Sequence, residues 1–380
     1  MKLGILGTRG IPANYGGFET FAEELAVRLV ERGHTVTVFC RSHYASEKRK
    51  EYRGVQLKIL PTIRHKYLDT PVHSLLSALW AMFQPFDAIL ICNAANGFCC
   101  AVLHLGGIPS LLNLDGIERQ RQKWGPLGRG WYRLSEFLSI WLADRLISDA
   151  GVIQEYYRRE HRQETECIPY GFSRLETEES RLLGSLGIAP RGYYLYVSRL
   201  EPENNAHVVL EAHRRSGSRL PLLLVGDAPY ARSYIDWLRS YAGEGVHFTG
   251  AVYGKEYHAL QARAWAYLQA TEVGGTHPAL VEGMGYGNMV LANDTPENRE
   301  VLGETGFFYR KNDAADLARI MRETEGDPRL REAKGESARL RVASRYNWET
   351  VTTSYERIFQ SLRRRKDIPG KAPAGNTASR

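Results

Sequence analysis

Cysteine is scarce in this 380-residue chain: five thiols, at positions 40, 92, 99, 100 and 167, form no C-x-x-C pair and have no histidine at metal-ligand spacing. The pattern supports neither a disulfide framework nor a metal site, and points to reduced, mostly buried thiols in a cytoplasmic protein. An uninterrupted membrane-length apolar run is also missing. Residues 88–114 carry no formal charge, but Asn93, Asn96, Gly97, Gly106, Gly107 and Pro109 break them up. They read as two buried strands around a short helix, not as a membrane span. Met1-Lys2 leads into about five apolar residues, shorter than a signal-peptide core, so no secretory leader is expected. The G-x-G-x-x-G dinucleotide fingerprint is absent too, which argues against a nicotinamide cofactor on the first turn.

What is present is a globular composition, 43% hydrophobic and 24% charged, in a chain long enough for two cores. A short apolar strand, residues 2–6, runs into a loop with glycines at 7, 10, 16 and 17. Phe21, Leu25, Leu29 and Val30 then follow helical spacing up to Gly33, and a second strand covers 35–39. This βαβ unit puts backbone N–H groups at the carboxyl edge of a parallel sheet. Arg9, Pro12 and Tyr15 would crowd a pyrophosphate lying on that loop.

The alternation continues, with strands expected near 55–60, 88–92, 110–114, 145–148 and 165–168, and again from 193–197 through 289–292. Such patterns predict two doubly wound parallel sheets. The expected boundaries are a first domain over 1–170, a linker over 171–191, a second domain over 192–345, a terminal helix over 346–365, and a disordered tail over 366–380. Between Trp131 and Leu146, the stripe Leu134, Phe137, Leu138, Trp141 and Leu142 predicts a helix packed into the core, not a membrane anchor.

The net charge of +7 is unevenly spread. Five basic residues (Arg119, Arg121, Lys123, Arg129, Arg133) stand against one acidic residue between 118 and 133, interleaved with Trp124, Trp131 and Tyr132. A solvated face, an anionic membrane surface and a diphosphate-bearing acceptor all fit this stretch and the Arg363-Arg364-Arg365-Lys366 run. No nucleic-acid motif accompanies the charge, so nucleic acid is not an expected partner.

Residues 7–20, Gly-Thr-Arg-Gly-Ile-Pro-Ala-Asn-Tyr-Gly-Gly-Phe-Glu-Thr, resemble the opening signature of the rhamnosyltransferase branch of glycosyltransferase family 4. The resemblance extends nearly to residue 362 and implies a GT-B fold: two Rossmann-like domains facing a cleft, with a C-terminal helix crossing back to the first. It implies a retaining enzyme that uses a nucleotide sugar, dTDP-rhamnose first of all, and no metal or further cofactor. The acceptor it implies is a lipid diphosphate-linked glycan or other saccharide in cell-surface polysaccharide assembly, met in the cytoplasm or at the inner face of the membrane. A nucleotide-sugar epimerase of the same fold and a non-catalytic carbohydrate-binding scaffold are the alternatives.

Residues 196–205, Tyr-Val-Ser-Arg-Leu-Glu-Pro-Glu-Asn-Asn, resemble the family's strand-end motif, in which an arginine and a lysine five positions later hold the donor diphosphate. Arg199 matches the arginine; position 204 is Asn, so one cation is missing. A surface ion pair of Arg199 with Glu201 or Glu203 is the simpler alternative. Glu282 matches the second of the family's two glutamates and would accept hydrogen bonds from the donor ribose. The first glutamate would fall at 274, where the chain has glycine, and Gly274, Gly275 and Thr276 would instead bring backbone N–H groups to sugar and diphosphate oxygens.

Asp115 follows a buried strand where many family members have a histidine. It fits either a helix N-cap or a carboxylate near the reacting centre that binds the acceptor, takes its proton or stabilises positive charge. Arg9, Asn14, Tyr15, Gly16 and Gly17 are expected over the same site, with Glu118 and Trp124 shaping the acceptor side.

Overall fold

The computed structural model describes residues 1–13, 16–44, 49–65, 67–114, 116 and 125–366. They form two compact units, one from the first 170 residues plus the C-terminal helix, the other from residues 171–347.

The first unit runs β1 (Lys2–Leu6), α1 (Gly17–Glu31), β2 (Thr35–Arg41), β3 (Glu51–Tyr52), β4 (Val55–Leu60), α2 (Asp69–Ala81), β5 (Ala88–Cys92), α3 (Cys99–Leu105), β6 (Ser110–Asn113), α4 (Pro126–Leu142), β7 (Arg145–Ser148), α5 (Gly151–His161) and β8 (Glu166–Cys167). Its described strands lie in the order β3-β4-β2-β1-β5-β6-β7-β8, parallel except for β3 against β4. Near-continuous burial of β1, β2 and β5 is what a parallel sheet covered on both faces demands.

The second unit runs α6 (Arg181–Leu186), β9 (Tyr194–Val197), α7 (Ala206–Ser216), β10 (Leu222–Val225), α8 (Arg232–Tyr241), β11 (Val246–Gly250), α9 (Gly254–Ala262), β12 (Ala266–Gln269), α10 (Pro278–Gly285), β13 (Met289–Asn293), α11 (Pro296–Leu302), β14 (Phe307–Tyr309), α12 (Ala314–Thr324) and α13 (Pro328–Arg345). Its strands are parallel in the order β11-β10-β9-β12-β13-β14. The last helix, α14 (Trp348–Lys366), belongs to the first unit. There Trp348, Val351, Tyr355, Ile358, Phe359 and Leu362 share a core with Phe21 and Leu25 of α1. Arg32, at the C-terminal end of α1, pairs with Glu349 and Glu356 of α14 at 2.7 and 2.9 Å.

Two sequence expectations are revised. The stretch 171–191, expected as a linker, is built into the second unit: Ser180 caps α6, and Leu183 sits in the core with Leu260 and Leu280. The helix α4 does not turn its apolar stripe to the core. Ser135 and Ser139 are fully buried, whereas Leu134, Phe137 and Trp141 are more than half exposed. The sheet-side chain comes too close for anything larger, since a Cβ on Gly97 would stand 2.1 Å from Ser139 Oγ. Four of the cysteines are buried, and Cys167 is exposed. No helix among the described residues is long and apolar enough to cross a membrane.

Candidate active site

In an open parallel sheet, ligands bind beyond the carboxyl ends of the strands, where the strand order reverses. In the second unit the chain leaves β9 for β10 on one side and leaves β12 for β13 on the other, so the switch point lies between β9 and β12. The segment 198–205 follows β9, and the segment 270–277 follows β12. Two hydrogen bonds join these segments: the Glu272 N–H donates to the Glu203 carbonyl at 3.3 Å, and Asn205 Nδ2 donates to the Ala270 carbonyl at 3.1 Å.

Arg199 leaves the end of β9 with a side chain about one third exposed, its Nη1 3.8 Å from Glu201 Oε2. Asn204 lies beneath it, almost fully buried. Its Nδ2 donates to the Arg199 carbonyl at 2.7 Å, and its own carbonyl accepts the Tyr196 hydroxyl at 2.6 Å. Position 204, where the resemblance led us to expect a second cation, therefore braces the arginine's backbone. Beside it the chain leaving β10 passes very close: Gly226 has φ 145°, and a Cβ there would stand 1.8 Å from the Ser198 carbonyl oxygen. Only glycine fits such a crossing.

Gly274, Gly275 and Thr276 are buried just before α10. At Gly274 the space of a side chain is filled by the His277 ring, 2.4 Å from where a Cβ would be. Glu282, one turn into α10, is half-buried and accepts a hydrogen bond from the Tyr257 hydroxyl. Gln261 Nε2 donates to that same hydroxyl at 3.0 Å and to the Ala279 carbonyl at 3.2 Å. Burial, and then the charge of Glu282, push the Tyr257 phenol well above its ordinary range, so it stays protonated and donates. Tyr257 and Gln261 thus fix the carboxylate's orientation. Sequence reasoning missed this pair; its signal was the i, i+4 spacing of two polar residues on a helix.

A second missed constellation holds Glu272. Asn205 Nδ2 and Asn293 Nδ2 both donate to Asn312 Oδ1, at 2.9 and 2.8 Å. Asn312 Nδ2 in turn donates to Glu272 Oε2 at 3.2 Å, and Lys311 Nζ lies 2.7 Å from Oε1. Burial would raise the Glu272 pKa, but the bonds from Lys311 and Asn312 outweigh it and hold the carboxyl below its usual range. Asn205 and Asn312 sit at φ 60° and 58°, a left-handed conformation that asparagine tolerates better than most residues.

In the first unit, the strand order reverses between β1 and β5. Gly7 leaves β1 at φ 97°, where a Cβ would stand 2.4 Å from the Cys92 carbonyl oxygen. The glycine loop is then closed by α1. The Arg9 N–H donates to Glu19 Oε1 at 2.9 Å and the Ala13 N–H to Glu23 Oε2 at 2.7 Å, while Gly16 caps the helix and Gly17 begins it. Two carboxylates on loop amides make this a poor seat for a phosphate. The Arg9 guanidinium lies 5.0 Å over the Tyr44 ring. Asn14, Tyr15, Asp115, Glu118 and Trp124, with Arg119, Arg121 and Lys123, lie outside the described residues.

Comparison with known proteins decides the family. The pattern of the family described as "Glycosyl transferases group 1" matches residues 185–341, and that of the "Glycosyl transferase 4-like domain" matches residues 16–171. The chain belongs to the GT-B glycosyltransferases. Glycogen synthase of Mycobacterium tuberculosis is 26% identical over 181 residues, 46% of this chain and 44% of that protein. The O-antigen chain mannosyltransferase B of Escherichia coli is 25% identical over 230 residues, 58% of this chain and 55% of that protein. This glycosyltransferase thus aligns with about half the length of these curated relatives. Sucrose-phosphate synthase of Thermosynechococcus elongatus superposes with a TM-score of 0.80 at 18% identity, covering 95% of this chain and 98% of that one. Anabaena HepE, solved with UDP and glucose, gives 0.78 at 18% identity, over 95% and 100% of the two chains. At such identities the likeness speaks for the fold: two parallel-sheet α/β domains of the GT-B kind.

Proposed function

We propose that this glycosyltransferase is a retaining enzyme that transfers a sugar, rhamnose from dTDP-rhamnose as the first candidate, to a lipid diphosphate-linked or saccharide acceptor in cell-surface polysaccharide synthesis. The observation that supports the donor side is that the segments carrying Arg199 and residues 274–276 follow the two strands that flank one switch point, with the Tyr257-held Glu282 on the helix that comes next. HepE was solved with UDP-glucose, which supports a nucleotide sugar there, and the E. coli relative's O-antigen role supports a surface polysaccharide.

In this reading Arg199 forks onto the diphosphate, whose charge also meets the N-terminus of α10, so no metal is required. Glu282 takes the ribose hydroxyls. The acceptor hydroxyl attacks from the leaving diphosphate's side, and a donor phosphate oxygen accepts its proton. Glu272, well held in its asparagine network, and Arg9, Gly16 and Gly17 of the first unit contribute orientation. Asp115 and Glu118 are kept as the acceptor-side carboxylates, and Asn14 and Tyr15 as substrate-binding residues. The enzyme works in the cytoplasm, at the inner face of the membrane.

The test is thermal shift of the purified chain against a panel of nucleotide sugars, followed by incubation of the best binder with acceptor. A rise in Tm and a glycosylated product with retained anomeric configuration are expected. An epimerised donor with no transfer product would overturn the reading.

A further inference from the structure

Two helices of the first unit, one on either side of α3, turn polar side chains inward and large apolar ones outward. In α2, His73, Ser74 and Ser77 are fully buried while Leu75, Leu76 and Leu79 face outward, and Phe83 just beyond is 78% exposed. In α4, Ser135, Ser139 and Glu136 are buried while Trp131, Leu134, Phe137 and Trp141 face outward. This inverts the pattern of a helix on a soluble protein, whose apolar stripe meets the core. Four of the inward side chains are tied down locally, Ser77 Oγ donating to the His73 carbonyl at 2.7 Å, Ser135 Oγ and Ser139 Oγ to the carbonyls of Ala95 and Ala94 at 3.2 and 3.3 Å, and Glu136 meeting His161. The His73 ring and Ser74 Oγ, by contrast, are buried without a hydrogen-bond partner among the described residues.

The inversions add up to a single face. Ala78 of α2, Cys99 and Leu103 of α3, and Ile140 of α4 share one core on the same side of the first sheet, and α3 touches both of its neighbours. The sides turned away from the sheet therefore look the same way. Between α2 and α4, Leu105 at the end of α3 is 82% exposed. Large apolar side chains gathered in exposed positions on one face mark an interaction site.

Charge selects the occupant. Arg64 beside α2 and Arg129 and Arg133 on α4 are exposed. The acidic residues of these two helices are withdrawn: Asp69 pairs with buried Arg41 at 2.7 Å, and Glu136 meets His161 Nε2 at 3.0 Å. An apolar, tryptophan-bearing surface edged by cations and stripped of exposed carboxylates matches the headgroup region of an anionic bilayer. We propose that α2, α3 and α4 form a monotopic docking face that lies on an anionic lipid surface. The proposal deepens the functional reading, resting on it for the purpose of docking and not for the surface itself.

The test is co-sedimentation of the full chain with phosphatidylcholine vesicles, with and without phosphatidylglycerol, at about 0.1 and 0.5 M salt. Binding to the anionic vesicles, weakened but not abolished by salt, is expected, with a blue shift of tryptophan emission. The double variant Phe137→Ser/Trp141→Ser changes only exposed positions and should weaken binding by about tenfold or more. Arg129→Glu/Arg133→Glu should do likewise on anionic vesicles, a second route if the first variant folds poorly. Vesicle binding indifferent to both pairs, no binding at all, or a self-associated form broken by the serine variant would overturn the proposal. Donor thermal shift is read on the same samples. Lipid binding without donor binding sinks the functional reading alone, and donor binding without lipid binding sinks the docking face alone.

Discussion

Asn113 Nδ2 donates a 2.9 Å hydrogen bond to the Tyr355 hydroxyl, joining the last residue of β6 to the C-terminal helix across 242 positions of chain. Tyr355 is fully buried, 5.4 Å from the Phe21 ring centroid. The last helix is thereby a fixed part of the first sheet's core, attached at the strand that leads to Asp115.

Tyr355→Phe keeps the packing and removes this acceptor, so it should cost about 1 kcal/mol, with the buried amide setting the upper end at about 3. For a domain of this size that is a fall in Tm of several degrees. Donor affinity, which the proposed function assigns to residues of the second unit, should not change. An unaltered Tm would show that the hydroxyl carries no net stabilisation.

His73 supplies a pH dependence. Burial first, and then the neighbouring Arg41 charge, push its pKa down to about 4. Asp69 opposes the shift, and His43 adds to it. With an unfolded value near 6.5, the unfolded chain binds a proton as pH falls below about 6.5 while the folded chain does not until about 4. The folded state is thus fully favoured above about pH 6.5 and loses up to about 3 kcal/mol on the way down to pH 4. His73→Gln should flatten that part of the stability curve. The measurement is unfolding of both forms in urea from about pH 7 to about pH 4.5; parallel curves would remove His73 as the cause.

The βαβ alternation was legible because parallel strands read as buried apolar runs, as Leu3, Ile5 and Leu6 or Val36, Val38 and Phe39 do. The β14 segment (Phe307–Tyr309) was not legible, being three residues long without a pattern. Helix α4 was found but turned the wrong way. Periodicity locates an apolar stripe without saying which side the sheet occupies, and the close approach of Gly97 to Ser139 is a tertiary fact. Of the site, Arg199 and Glu282 stood out through the resemblance of their segments to the family's motifs. Tyr257 did not, because its partner lies on a separate helix. Asn204 marked a missing cation in the sequence, and its job as a brace under Arg199 appears only in three dimensions.

Tyr257→Phe removes the donor that orients Glu282 and keeps the ring. A hydrogen bond to a charged group contributes about 1.5–3 kcal/mol to stability, so Tm should fall by several degrees, and the donor Kd should rise because Glu282 is no longer held in place. Glu282→Gln should show a comparable rise, and the double variant should add little to either single change, because both act through one contact. Additive effects in calorimetric titration would place Tyr257 and Glu282 in separate roles.

Arg199 separates the donor site from a merely structural edge. Its guanidinium stands 3.8 Å from Glu201, too far for a direct hydrogen bond. If its work is to fork onto a diphosphate, Arg199→Ala should weaken donor binding by on the order of 2–5 kcal/mol. Arg199→Lys should recover only part, since an ammonium keeps the charge but loses the planar fork. Glu201→Ala should leave donor affinity close to that of the unmodified chain. If the ion pair were instead the reason for the arginine, Glu201→Ala and Arg199→Ala would lower Tm alike and leave the donor Kd within twofold. The two accounts therefore diverge in a single set of titrations and melts on three variants.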